Sequence, residues 1–213
     1  MKAGYGVFDR LLRAHRDAKT YGEKKQILIA PSWQDDNIME LCIDKVLQQL
    51  CGHGYRVVIR PHPQYIRHFE SEITSLKERY KENVDSGELY FETDFGESSS
   101  MYMSDIVITD WSNTAYEFSF CTKRPAVFIN TPMKVLNPAY KDLGIEPADI
   151  FLRNKVGVSI DVDDLDRLGD LVKDMIEGSE RYKEQITKIV DEFMYYPMRS
   201  GEAGGVYITG RLT

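Results

Sequence analysis

Short β-branched runs alternate with longer stretches of helical periodicity, and this alternation constrains the fold more than any other feature of the sequence. Six mostly apolar runs lie at residues 27–30, 56–60, 89–91, 106–109, 126–129 and 156–160. Because nearly every position in these runs is apolar, we expect strands that are covered on both faces. The alternation of such strands with helices predicts an α/β fold, a Rossmann-like, doubly wound and mostly parallel sheet.

The chain has 213 residues, which is enough for one compact domain with its own core. Residues 1–25 do not follow the strand–helix rhythm, and we interpret them as a connector or a helical lead-in. Residues 26–213 then form the single Rossmann-like domain. The stretch 130–150 contains three prolines and little periodicity, which predicts an ordered loop.

Charge and cysteine content exclude several classes of protein. The 27 basic and 34 acidic residues give a formal net charge of −7, so no overall positive field attracts nucleic acid, and an anionic ligand needs a local site. No apolar run is long enough to cross a bilayer. The three cysteines, Cys42, Cys51 and Cys121, lack CxxC spacing, which argues against a disulfide framework or a zinc site and favours a reducing compartment.

Polar or conformationally restricted residues follow four of the predicted strands. They occupy positions 31–33, 60–63, 109–114 and 130–131. In a doubly wound sheet, ligands bind outside the carboxyl ends of the strands. We therefore expect these four segments to share one edge of the sheet and to form the binding site.

The segment Ser112, Asn113 and Thr114 is a candidate phosphate site. Small hydroxyl and amide residues at a helix start leave backbone N–H groups free at the positive end of the helix dipole, and phosphate binds at such places. The same residues can equally serve only as a helix cap. One helical turn later, Glu117 is placed to reach a ribose hydroxyl or to lie in solvent.

His62 stands between two prolines directly after a predicted strand. The flanking prolines fix the backbone and present the imidazole from a stiff turn. The ring can act as a general base or as a partner for phosphate, and the nearby Arg60 agrees with an anionic ligand. A simple surface histidine in a turn is the alternative.

The chain resembles the C-terminal half of the CDP-glycerol glycerophosphotransferases, the family of teichoic acid polymerisation, in five ordered segments. These segments are 29–33 ("YAPTWR" in the family), 60–63 ("(K/R)PHP"), 104–117 ("SDxLITDYSSxxFD"), 123–128 ("KPxxFY") and 201–203 ("DGxAS"). Trp111, Asn113 and Glu117 depart from the tyrosine, serine and aspartate of the family pattern. The family's "HGTPLK" motif, which belongs to its N-terminal half, is absent.

The resemblance implies a GT-B architecture in which this chain is the donor-binding domain. It further implies His62 as a catalytic residue and positive charge from Arg60 and Lys123. The predicted donor-binding and phosphate-binding residues are Ser32, Arg60, Thr109, Asp110, Ser112, Asn113, Thr114, Glu117 and Lys123. We expect no metal and no cofactor, with CDP-glycerol as donor substrate.

The function implied is transfer of a polyol phosphate from CDP-glycerol, or another CDP-alditol, to a growing teichoic-acid-like chain with release of CMP. The expected partners are a lipid-linked polyol-phosphate acceptor and the missing N-terminal GT-B half, and the full enzyme is expected at the cytoplasmic face of the membrane. Two alternatives stay open: a GT-B glycosyltransferase that uses a UDP- or GDP-sugar, and a nucleotide-binding module without turnover as an isolated fragment.

Overall fold

Six parallel strands form one sheet in the computed structural model, which describes residues 4–17, 24–94, 100–134, 137–144 and 146–212. The strands are β1 (Gln26–Ile29), β2 (Arg56–Ile59), β3 (Leu89–Phe91), β4 (Ile106–Thr109), β5 (Ala126–Asn130) and β6 (Gly157–Asp161). Their order is β3-β2-β1-β4-β5-β6, and every neighbouring pair is parallel. The predicted Rossmann-like sheet is confirmed.

Helices connect the strands and cover the sheet. They are α1 (Gly6–Asp17), α2 (Ile38–Leu41), α3 (Ile43–Leu50), α4 (Pro63–His68), α5 (Glu70–Arg79), α6 (Lys81–Asp85), α7 (Ser100–Met103), α8 (Thr114–Thr122), α9 (Ala148–Phe151), α10 (Arg153–Val156), α11 (Leu168–Glu177), α12 (Ser179–Phe193) and α13 (Ser200–Leu212). Two 3-10 helices cover Pro138–Leu143 and Val162–Arg167.

The central strands form the core. Ile27, Leu28 and Ile29 of β1 are completely buried, as are the β4 residues that pair with them. The burial of successive side chains, which point to opposite faces, shows that both faces of the sheet are covered. At the start of β6, a Cβ atom on Gly157 would lie 1.7 Å from the Ala126 carbonyl oxygen, so only glycine permits this strand to pair so closely with β5.

The strand order places a topological switch between β1 and β4. From β1 the chain proceeds to β2 and β3 on one side, whereas from β4 it proceeds to β5 and β6 on the other. The connections that leave the carboxyl ends of β1 and β4 therefore diverge and open a crevice between them. The loop after β1 and the loop after β4 border this crevice.

Two local predictions need correction. The apolar periodicity over 38–50 predicts one helix, but the backbone breaks at Cys42, with φ −149° and ψ 10°, into α2 and α3. The low periodicity of the stretch 130–150 predicts an ordered loop, but its described part contains a 3-10 helix and the start of α9. Pro138 starts that 3-10 helix, and the Asn137 side chain caps it by accepting from the Ala139 N–H.

Helix α1 packs on the same core as the sheet. Phe8 and Leu11 are buried in it, and α1 lies against α8. This agrees with a helix in the N-terminal segment, while the predicted boundary at residue 25 stays a prediction, and residues 1–3 and 18–23 lie outside the described residues.

Candidate active site

The Asp110 carboxylate joins the loops at the β1 and β4 ends of the sheet. Asp110 is completely buried. Its Oδ1 accepts from the backbone N–H groups of Ser32 and Trp111, both at 2.7 Å, and its Oδ2 accepts from the Ile38 N–H at 3.1 Å. Three charge-assisted hydrogen bonds hold the two loops that border the crevice.

Thr109 and Ser32 also lie beneath the surface of this edge. The Thr109 hydroxyl donates to the Ala30 carbonyl oxygen at 2.6 Å, and Thr109 is completely buried. Ser32 is 2% exposed, and within the described residues its Oγ has no hydrogen-bond partner. The structure thus places Ser32, Thr109 and Asp110 together at the predicted edge. All three are buried, and the side chains of Thr109 and Asp110 form hydrogen bonds with backbone groups of the protein.

The N-terminus of α8 opens onto the crevice. The Ser112 Oγ accepts from the Thr114 N–H at 3.3 Å and donates to the Thr114 Oγ1 at 3.0 Å, while the exposed Asn113 makes no side-chain cap. Within the described part of the chain, the backbone N–H groups of Ser112 and Asn113 have no acceptor. Free N–H groups at the positive end of a helix can bind an anion.

The His62 side chain caps α4. Its Nδ1 accepts from the Gln64 N–H at 3.1 Å, so the proton of the neutral ring is on Nε2. Burial lowers the pKa of His62 below its ordinary 6.5, and the positive charge of Lys134 lowers it further. At neutral pH the half-buried ring therefore offers an Nε2–H donor.

Trp33, in the loop after β1, lies against His62. The ring centroids are 6.0 Å apart with an interplanar angle of 19°, and the indole makes a similar contact with His68 at 5.9 Å and 23°. The loops that follow β1 and β2 are therefore packed together. His68, which no motif in the sequence marks, joins this aromatic group at the C-terminal end of α4.

Arg60 is already paired with a buried carboxylate. Its Nη1 lies 3.1 Å from the Glu92 Oε2, and Glu92, 5% exposed, also accepts from the Ser100 hydroxyl. The side chain of Arg60 is itself largely buried. Arg60 lies at the predicted edge, and its charge is largely offset by Glu92.

Glu117 lies in the first turn of α8, whereas Lys123 follows the last residue of that helix. The Glu117 Oε1 accepts from the Tyr5 hydroxyl at 2.9 Å, which connects it to the segment before α1. Lys123 follows the last turn of α8 with φ 60°, and its Nζ donates to the Phe120 carbonyl oxygen. Since the nine-residue helix is about 13 Å long, the structure does not bring Lys123 to the edge where Ser112 lies.

Arg153 is a residue of this edge that sequence reasoning missed. It is 5% exposed, and its guanidinium carbon lies 4.0 Å from the ring centroid of Trp111 and 4.6 Å from that of Phe128. It donates to the Asp110 carbonyl oxygen and to the Asn130 Oδ1, both at 2.8 Å. Arg153 thereby holds the ends of β4 and β5 together, although no local motif marks it.

A cavity of about 190 Å³ adjoins the ends of β4 and β5. Its lining combines aromatic and apolar walls with the polar groups of Lys134, Asn137 and Asp149. The Trp111 indole, which forms one wall, is fixed by Arg153 and by a hydrogen bond from its Nε1 to the Thr131 carbonyl oxygen at 3.0 Å. The loop after β5 therefore adds a binding surface beside the α8 N-terminus.

Comparison with protein families identifies the family of the chain. The sequence profile of the CDP-glycerol:poly(glycerophosphate) glycerophosphotransferases matches residues 2–202. The chain belongs to this family. Residues 29–128 of this glycerophosphotransferase-family chain, which contain the first four segments of the resemblance, lie wholly within the matched region, and of the segment 201–203 only Ala203 lies beyond it.

Solved structures show the same fold in GT-B enzymes. The wall teichoic acid polymerase TagF is 18% identical with a TM-score of 0.55, and the match covers 99% of this chain and 51% of that one. A TagF variant soaked with CDPG is 19% identical with the same TM-score and covers 99% and 50%. The C-terminal CMP-Kdo binding domain of WaaA from Acinetobacter baumannii is 13% identical, with a TM-score of 0.51, and covers 86% and 97%.

These comparisons establish that the glycerophosphotransferase-family chain has the fold of the C-terminal domains of GT-B enzymes. The chain spans about half the length of the TagF chains that it matches. No curated protein matches the chain.

Membrane-spanning helices and clustered metal ligands are absent from the described residues. None of the helices described is both long and apolar enough to cross a membrane. In the same residues, no group of three or more His, Cys, Asp or Glu side chains is arranged to hold a metal ion.

Burial raises the pKa of the Cys42 and Cys121 thiols to about 11, so both are protonated at neutral pH and pack as small apolar groups.

Proposed function

We propose that this chain binds CDP-glycerol, or a related CDP-alditol, at the β1 and β4 edge and acts as the donor-binding half of a glycerophosphotransferase. The observation that carries the proposal is the position of His62 and the α8 N-terminus on loops that follow β2 and β4, which both neighbour β1. Two strand spacings separate these loops, about 10 Å. A diphosphate can contact both.

The α8 N-terminus is the proposed site for the phosphate next to the cytidine. The free N–H groups of Ser112 and Asn113 and the hydroxyl of Thr114 supply donors, and the helix dipole favours negative charge there. Charge develops on this phosphate when CMP leaves, so the same groups stabilise the leaving group. Thr109 and Asp110 hold the loops in place beneath it.

His62 is proposed to donate a hydrogen bond to a phosphate oxygen. A general base needs an unprotonated Nε2, which would move the proton of the neutral ring to Nδ1 and displace the Gln64 N–H. The cap therefore favours a phosphate contact over proton abstraction. Of the two roles that the sequence leaves open for His62, we propose this one.

The proposed reaction is a phosphoryl transfer. The terminal hydroxyl of a polyol-phosphate chain attacks the β-phosphorus, the bond from that phosphorus to the bridging oxygen breaks, and CMP leaves. The hydroxyl proton passes to a base that we assign to the other GT-B half, since the chain spans about half of TagF. The acceptor is proposed to be lipid-linked and the full enzyme to work at the cytoplasmic membrane face.

Calorimetric titration of the chain with CDP-glycerol, UDP-glucose and GDP-mannose tests the proposal. We expect saturable binding of CDP-glycerol, at least about tenfold weaker binding of the two nucleotide sugars, and negligible transfer by this chain alone. Equal or tighter binding of UDP-glucose or GDP-mannose would overturn the choice of donor and favour the glycosyltransferase alternative. Robust transfer by the isolated chain would contradict the division of the active site between two halves.

A further inference from the structure

We propose that Lys134 is a phosphate-binding residue of this site and that its ammonium contacts the diphosphate of the donor opposite His62. This inference rests on the proposed function and names the cation that the proposed donor site uses. Sequence reasoning gave that role to Arg60 and Lys123, and neither the motifs nor the comparisons assign any role to Lys134.

Two separate observations place Lys134 at the site. It follows β5 in the loop beside the α8 N-terminus, and it lines the 190 Å³ cavity together with Trp111, which directly precedes Ser112. Its charge also acts on the His62 ring, which lies at the end of β2. Lys134 therefore lies within electrostatic reach of both groups that are proposed to hold phosphate.

The other cations near this edge are engaged within the protein. Arg60 pairs with Glu92, and Arg153 donates to the Asp110 carbonyl oxygen and the Asn130 side chain. Lys134 is half-buried, and within the described part of the chain no carboxylate forms an ion pair with it. Its charge is thus available to an anionic ligand.

The chemistry of lysine suits this position. An ammonium on a flexible stem has three donors and can follow a phosphate as the alditol phosphate is transferred. Burial is the larger cause of the lowered pKa of His62, and without a ligand the repulsion between Lys134 and a protonated His62 lowers that pKa further. A diphosphate bound between them removes this repulsion and gains two charge-assisted contacts.

Calorimetric titration with CDP-glycerol at constant ionic strength tests the proposal in three variants of the full chain. We expect Lys134→Met to weaken binding about tenfold and Lys134→Arg, which keeps the charge, to weaken it less than about threefold. The matched control is Lys188→Met, which removes an exposed lysine from α12 and is expected to leave affinity unchanged. Raised salt is expected to weaken the wild type more than Lys134→Met.

NMR titration of the His62 ring without ligand is the second measurement, and it does not depend on the donor. The ring is packed against Trp33, which also contacts His68, and Lys134 is the charged group that acts on it. Removal of the Lys134 charge is expected to raise the pKa of His62, whereas Lys188→Met leaves it unchanged.

The outcomes separate this inference from the proposed function. If the wild type binds CDP-glycerol and Lys134→Met binds it equally well, the role of Lys134 is refuted while the donor site stands. If the wild type does not bind CDP-glycerol, both proposals fail. An unchanged pKa of His62 in Lys134→Met would show that the two side chains do not face the same space and would overturn the inference.

Discussion

The two nitrogens of His62 have separate tasks in this structure. Nδ1 caps α4 through the Gln64 N–H, which leaves Nε2 for a ligand. The flanking prolines let the sequence predict a presented imidazole at a strand end. The capping bond could not be predicted, because it depends on the rotamer that the ring adopts against Trp33.

Donor affinity is expected to depend on pH through His62. An anionic ligand favours the imidazolium, so it raises the pKa of His62 on binding, and affinity for CDP-glycerol rises as the pH falls below the ordinary value of 6.5. Titration calorimetry between about pH 5 and 8 measures this trend. His62→Gln keeps an N–H donor but does not titrate, so its affinity should be flat over the same range. A wild-type profile as flat as that of the variant would contradict a phosphate contact by His62.

Asp110 is expected to matter for stability as well as for binding. Asp110→Ala leaves three N–H groups without an acceptor, two of them buried and one partly buried, which is expected to lower the free energy of unfolding by ~2–4 kcal/mol. Urea denaturation measures this change. The control Asp163→Ala removes an exposed carboxylate and should stay within about 0.5 kcal/mol of the wild type. An equal, small effect of both substitutions would refute the loop-anchoring role of Asp110.

The two ends of helix α8 lie in different parts of the molecule. Its N-terminus, at Ser112 to Thr114, faces the crevice, and its C-terminus ends at Lys123 in the left-handed region near the opposite edge. The family resemblance suggested positive charge from Lys123. In the structure, the full length of α8 separates this lysine from the proposed phosphate.

Substitutions at the two ends of α8 are expected to affect donor binding differently. Ser112→Asp keeps a side-chain oxygen that can accept from the Thr114 N–H, so the helix start should remain, but it places a negative charge at the proposed phosphate site and should weaken CDP-glycerol binding more than about tenfold. Lys123→Ala should leave affinity unchanged. Circular dichroism checks the fold of both variants and calorimetry their affinity. A loss of affinity confined to Lys123→Ala would contradict the placement of the site.

Helices α1 and α13 are joined through Asp9. Its carboxylate accepts from the Met198 N–H at 2.6 Å, from the Ser200 N–H at 2.8 Å and from the Ser200 hydroxyl. Burial alone would raise the pKa of Asp9, but the hydrogen bonds from Ser200 and Met198 outweigh it and lower the pKa below 3.8. The stabilisation is therefore fully present above pH 3.8 and is lost as the pH falls through the lowered value.

The Asp9 contact predicts a pH-dependent stability difference. At neutral pH, Asp9→Asn is expected to unfold at a lower temperature than the wild type, because the neutral amide offers one acceptor oxygen in place of a carboxylate that accepts three charge-assisted hydrogen bonds. The difference in Tm should shrink as the pH falls below 3.8. Thermal unfolding followed by circular dichroism at several pH values measures it. A difference that stays constant with pH would mean that the Asp9 charge does not stabilise the α1–α13 contact.

At the scale of elements, periodicity located the strands but not the breaks between helices. All six runs became strands because continuous apolar residues are buried on both faces of the sheet. The break at Cys42 was not visible, because Cys42 continues the apolar pattern of the helix it interrupts. Helix α13 also lacks a buried apolar stripe, since Val206 and Ile208 are exposed, so no apolar periodicity predicts this helix.

For the whole molecule, the sequence predicts which edge of the sheet carries the site. It does not predict every residue that lies at that edge. Strand–helix alternation was enough to place the segments after β1, β2, β4 and β5 on one edge. Arg153 reaches that edge from α10, 43 residues beyond Asp110 in the chain, and Lys134 reaches it from a stretch without periodicity. Long-range contacts of this kind leave no local pattern in a single sequence.

Chemical-shift mapping of CDP-glycerol on the ¹⁵N-labelled chain tests the location of the donor site most directly. We expect the largest shifts at the backbone amides of Ser112 to Thr114, at the His62 ring and in the loop that contains Lys134. Helix α12 and the region of Lys123 should change little. Saturable shifts that leave the carboxyl edge of β1, β2 and β4 unperturbed and cluster near Lys123 would contradict the proposed site.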